Sequence, residues 1–163
     1  RFPDMSTLFH SRLVVEHLRA RGETLALAES LTAGGVGFAL TQVPGASQVI
    51  RGGIIAYTAD VKIDLLGVSA EAIAANSVVS EVVAREMAAG ALSKVSSTWA
   101  ISTTGIAGPG DYKGMREGSV WIAIAGPVSE TLHLQLDGGR EGVRSGAISS
   151  AIASFSRILS ARK

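Results

Sequence analysis

Short apolar runs alternate along this chain with stretches whose apolar residues recur at helical spacing, and that alternation restricts its fold more than any other feature. The runs are Thr24–Glu29, Ile54–Thr58, Trp99–Thr104, Ser119–Ala125 and Thr131–Leu136. Between and around them lie helical stripes. Leu8–Arg21 keeps Phe9, Leu13, Val14 and Leu18 on one face and stops at Gly22. Leu31–Val43 runs until Pro44 and Gly45, and Val61–Leu66 is a short helix. Ser80 is placed to cap a helix through Val95 that aligns Val83, Met87 and Ala91, and a last stripe extends from Val143 to Leu159. Strands interleaved with helices, then a hairpin-like pair, predict a three-layer α/β/α fold around a mixed central sheet. Thr131–Leu136 alternates polar and apolar residues, which places it near an edge with one wet face.

The 163 residues suit one domain. Residues 1–7 are expected to be an N-terminal extension and residues 8–163 the domain itself. Hydrophobic residues at 47%, charged residues at 18% and a mean hydropathy of +0.32 supply ample surface for a packed core. A formal charge of +1 lacks the long-range field that draws a protein to polyanions, so neither nucleic acid nor a membrane surface is an expected partner. The absence of cysteine removes disulfides, thiolate zinc sites and a cysteine nucleophile together, and fits a cytoplasmic protein. Val120–Ala125 is the longest apolar run, far short of the ~18 residues that cross a bilayer.

No metal or organic cofactor is expected. His10, His17 and His133 are scattered outside any ligand motif, and Gly34, Gly35 and Gly37 lack dinucleotide-binding spacing. More informative is Ala28–Gly35, where the chain leaves a buried strand and enters a helix through small residues. A serine at that junction suits a nucleophile beside the amides of a helix start, although Ser30 or Thr32 can equally serve as an ordinary helix cap. With no histidine suitably placed, lysine is the base to consider. Ala56–Lys62 runs from a strand end into a helix start, so Tyr57 and Lys62 can reach the sheet edge that carries Ser30, or can stand as a rim tyrosine and a solvated lysine. Ser102–Gly110 joins a strand to a glycine-rich loop able to cradle a phosphate or sugar, or simply to turn tightly. Arg140 and Arg144, four apart on the last helix, can form a phosphate clamp or lie on a solvated face.

The blocks AESLTAGG (Ala28–Gly35), RGGIIAYTADVK (Arg51–Lys62), VVSEVVAREMAAGAL (Val78–Leu92) and STTGIAGPG (Ser102–Gly110), in this order, resemble the CinA C-terminal domain family of nicotinamide-mononucleotide deamidases. The resemblance implies hydrolysis of the carboxamide of nicotinamide mononucleotide to nicotinic acid mononucleotide and ammonia, without metal. Ser30 would be the nucleophile, Lys62 its general base, and Tyr57 an assisting or ring-placing residue. Amides around Thr32, Ala33 and Gly34 would hold the oxyanion. The loop containing Thr104, Gly105 and Gly108, with Arg140 or Arg144, would bind ribose and phosphate. A homodimer is also implied. Where the family usually has cysteine followed by Thr-Gly-Gly, this chain has Leu31-Thr32-Ala33-Gly34, and the family's Lys-Pro-Val-Gly stretch is replaced by Asp111–Gly118. The other expectations for this scaffold are a catalytically silent nucleotide-binding or dimerisation module and an amidase for a different amide.

Overall fold

The computed structural model describes residues 2–162. The elements follow the order α1 (Met5–Arg21), β1 (Leu25–Glu29), α2 (Gly35–Leu40), β2 (Ile50–Ile55), α3 (Ala59–Leu66), α4 (Ala70–Asn76), α5 (Glu81–Val95), β3 (Trp99–Gly105), β4 (Ser119–Ala125), β5 (Glu130–Gln135) and α6 (Gly139–Ala161). The sheet is mixed, with strand order β2-β1-β3-β4-β5. β1 pairs parallel to β2 and β3, while β3, β4 and β5 are successively antiparallel. β5 is an edge strand, as its alternation predicts.

Side-chain size divides the two faces. On one face Leu25, Leu27, Trp99, Ile101, Val120, Ile122 and Ile124 pack with α1, α2 and α6. The other presents Ala26, Ala28, Ala100 and Ala123, so that α5 lies close against it through Val83, Ala84, Met87, Ala88 and Ala91. The same closeness recurs where α5 meets the end of α3: a Cβ built on Gly90 would collide with the Leu66 carbonyl oxygen. Backbone cannot move aside as a flexible side chain does, so Gly90→Ala is expected to cost about 2 kcal/mol or more. A urea-unfolding midpoint unchanged in this variant would contradict that packing.

The element boundaries depart from the periodicity in four places. α1 starts at Met5, ahead of its apolar stripe, because the Asp4 carboxylate accepts the Thr7 N–H at 2.8 Å. α2 is much shorter than the stripe Leu31–Val43. Ala33 (φ 48°) and Gly34 (φ 92°) are left-handed and cannot enter a right-handed helix, and the Thr41 hydroxyl turns back onto the Gly37 and Phe38 carbonyls at its end. β2 spans Ile50–Ile55 rather than Ile54–Thr58. Its register matches Leu27 to Gly53 and Glu29 to Ile55, and β1 has no further residues to pair with beyond that point. α4 carried no readable stripe. It buries none of its residues fully and is set by the Ser69 cap on the Ala72 N–H.

Candidate active site

β1 and β3 are adjacent and parallel, and the chain leaves β1 towards one edge of the sheet yet reaches β3 from that edge on the opposite face. Ligands of open α/β sheets bind outside the carboxyl ends of such a strand pair. Ser30 follows the last residue of β1 there. Its N–H donates to the Thr103 carbonyl at 3.1 Å, so the backbone of β3 fixes its position.

Lys62 reaches the same point from α3. It is 2% exposed, and its Nζ donates to Ser30 Oγ at 2.9 Å, to the Ala56 carbonyl at 2.8 Å and to the Tyr57 carbonyl at 3.3 Å. The partners are neutral oxygens, and among the described residues no carboxylate forms an ion pair with it. Burial lowers its pKa from 10.5 to about 8. The cause is desolvation, which disfavours the charged ammonium. The result is an amine partly neutral near physiological pH, in hydrogen-bond contact with the hydroxyl of a residue that is 6% exposed.

The turn after Ser30 differs from a helix start. Glu29, buried at the end of β1, accepts the N–H groups of Val36 at 2.9 Å and Gly37 at 3.1 Å. Its carboxylate therefore closes the amino end of α2 that was expected to face the ligand. The Ala33 amide, expected to hold an oxyanion, instead donates to the Ser30 carbonyl at 3.0 Å, closing the turn. The Thr32 hydroxyl bonds the Thr103 hydroxyl at 2.8 Å. Thr32, Ala33 and Gly34 border a cavity of about 540 Å³ on the far side of the turn, whereas Leu31 lines the cleft that contains Ser30. Among the described residues the amides of Leu31, Thr32 and Gly34 have no acceptor. Leu31 and Glu29 were not singled out from the sequence, because their parts depend on backbone hydrogen bonds that spacing does not encode.

The Ser30 cleft, about 840 Å³, is walled by Tyr57, Lys62, Val78, the 104–113 segment and Arg140. The Thr104 hydroxyl is engaged by the Val78 carbonyl at 2.8 Å, so this residue ties β3 to the approach of α5. Gly105 and Gly108 are closely packed: a Cβ would meet Val120 and the Ser119 carbonyl at the first, and the Glu117 side chain at the second. Arg140 spans the rim, donating to the Gly108 carbonyl at 2.6 Å and to the Tyr57 hydroxyl at 3.0 Å. Tyr57 is 53% exposed, and its ring is thereby fixed at the mouth rather than against Ser30. Arg144 does not join Arg140 in the cleft. Its Nε donates to the Leu31 carbonyl at 2.9 Å and supports the turn, and both arginines border the cavity of about 540 Å³ beside Thr32, Ala33 and Gly34. Among the described residues no cluster of three or more His, Cys, Asp or Glu side chains could hold a metal ion, and no helix is long and apolar enough to cross a membrane.

A serine hydroxyl in hydrogen-bond contact with a buried lysine amine thus lies at the carboxyl ends of two parallel strands. Residues 8–159 match the family described as the CinA C-terminal domain. A CinA-like protein of Synechococcus sp. is 51% identical over 111 residues, covering 68% of this chain and 26% of that protein. One of Frankia casuarinae is 40% identical over 148 residues, covering 90% and 34%. The chain thus spans about a quarter to a third of the length of these curated relatives. Among solved structures, the competence damage-inducible protein A from Klebsiella pneumoniae superposes with a TM-score of 0.92 at 31% identity, covering 96% of this chain and 99% of that one. The competence/damage inducible protein CihA from Agrobacterium tumefaciens gives 0.90 at 32% identity, covering 98% of each. The chain belongs to the CinA C-terminal domain family.

Proposed function

We propose that this chain, with residues 8–163 as its working unit, hydrolyses the carboxamide of nicotinamide mononucleotide to nicotinic acid mononucleotide and ammonia. The observation that carries the reading is the 2.9 Å contact between Ser30 Oγ and the buried Lys62 Nζ. Neutral Lys62 takes the Ser30 proton as Oγ bonds to the carboxamide carbon. The unbonded amides of Leu31 and Thr32 receive the oxyanion. The resulting ammonium of Lys62 returns its proton to the departing nitrogen, which leaves as ammonia and yields a Ser30 ester. Lys62, neutral again, then takes a proton from water, whose oxygen adds to the ester carbon, and Ser30 leaves with the proton restored. Every group needed is on this chain, so the scheme requires neither metal nor organic cofactor.

Tyr57 and Arg140, bonded to one another at the mouth, are assigned to seating the ring and ribose beside Thr104, Gly105 and Gly108. Arg144 is assigned to holding the Leu31 carbonyl, and with it the Leu31 and Thr32 amides, in place. The same reading makes the protein a homodimeric cytoplasmic enzyme of pyridine-nucleotide salvage. A panel of primary amides, including nicotinamide mononucleotide, free nicotinamide and unrelated carboxamides, tests the substrate. Ammonia should come fastest from the mononucleotide. Faster release from an unrelated amide would transfer the scaffold to a different amidase reaction.

A further inference from the structure

We propose that Lys113 binds the anionic phosphate end of the substrate; this rests on the nucleotide reading of the Ser30 cleft. The cations that line the cleft are Lys62, Arg140 and Lys113. Lys62 is buried against Ser30, and Arg140 already donates from both terminal nitrogens, to Gly108 and to Tyr57. Arg144 does not line this cleft, and its Nε is bonded to the Leu31 carbonyl. Lys113 alone of the cleft-lining cations has neither a hydrogen-bond acceptor nor a carboxylate partner among the described residues, and its Nζ rests 5.3 Å from the Tyr112 ring centroid.

The backbone that carries Lys113 is built for presentation. Tyr112 and Met115 exchange N–H···O bonds of 2.9 and 2.8 Å, so Lys113 and Gly114 are the central residues of a tight hairpin turn. Both have positive φ, 46° and 79°, the pattern of a type I′ turn. Asn, Asp or Gly is favoured at the first of these positions, and a lysine there carries backbone strain. The hairpin is anchored below, where the Glu117 side chain accepts the Gly110 N–H and Asp111 accepts the Glu117 N–H, each at 2.9 Å. Both nearby carboxylates are thereby engaged within the loop. A strained cation held at the tip of an anchored turn, over a cleft whose other cations already have hydrogen-bond partners, is placed for a ligand anion.

Calorimetric titration of nicotinic acid mononucleotide, and of the same nucleoside without phosphate, into the wild type, Lys113→Asn and Lys113→Arg tests this assignment. Asparagine suits the turn better than lysine, so Lys113→Asn should melt no lower than the wild type while losing the charge. The wild type should prefer the nucleotide. Lys113→Asn should weaken the nucleotide about tenfold or more and leave the nucleoside unchanged, as expected for one lost charged hydrogen bond. Lys113→Arg should restore most of the preference. Equal binding of the two ligands by the wild type, unchanged nucleotide binding in Lys113→Asn, or equal weakening of both ligands would overturn the assignment. Failure of the deamidase reading shows separately, as a wild type that releases no ammonia.

Discussion

Ser30→Ala is expected to lower ammonia release from nicotinamide mononucleotide by at least about a thousandfold, since removing the nucleophile of a covalent mechanism eliminates both of its chemical steps. The fold should survive. Ser30 is held through its backbone N–H on the Thr103 carbonyl, and among the described residues the only partner of its hydroxyl is Lys62. Circular dichroism and thermal melting should therefore match the wild type to within a few degrees. A variant that keeps more than about a tenth of the wild-type rate would make Ser30 a structural hydroxyl and leave the cleft without its nucleophile.

Lys62→Arg should be almost as damaging, although it preserves a positive charge. Guanidinium stays protonated throughout the working range and cannot accept the serine proton. With its pKa lowered by burial to about 8, roughly a tenth of Lys62 is neutral at pH 7, against less than about 0.1% of an ordinary lysine. Because the neutral form is the base, kcat/KM should climb with pH and level off above about 8. Stability moves in the same direction. The folded protein gives up the Lys62 proton near 8, whereas the unfolded chain keeps it until about 10.5, so between those values the unfolded state binds more protons. Raising the pH through that window should stabilise the wild type relative to Lys62→Met, which has no proton to lose. A flat pH profile between 6 and 9, or an active Lys62→Arg, would make Lys62 a fixed charge rather than a base.

Layering, strand direction at the hairpin end and the edge position of β5 were legible because each rests on a local pattern, such as the polar–apolar alternation of Thr131–Leu136 that marks an edge strand. The approach of Ser30 to Lys62 was legible for a related reason. Both follow strand ends, and parallel neighbours bring such ends together. What escaped the sequence depends on single long-range hydrogen bonds. Glu29 reaches over the turn to the amides of Val36 and Gly37 and so moves the start of α2 to Gly35, which no hydrophobic period registers. Arg140 and Arg144 share a helix face by spacing. Only the docking of α6 beside the turn sends one to Tyr57 and Gly108 and the other to Leu31. The hairpin that raises Lys113 likewise forms through Tyr112, Met115 and the loop carboxylates, not through any strand-like alternation.

In the proposed reaction Ser30, activated by Lys62, opens the carboxamide of a nicotinamide nucleotide. Its most direct measurement is the ammonia released when the purified wild-type chain is incubated with nicotinamide mononucleotide, quantified against the nicotinic acid mononucleotide formed in the same sample. Equal amounts of the two products, accumulating over many turnovers, are predicted. A correctly folded protein that binds the nucleotide yet forms neither product would contradict the account and leave the scaffold as a binding module.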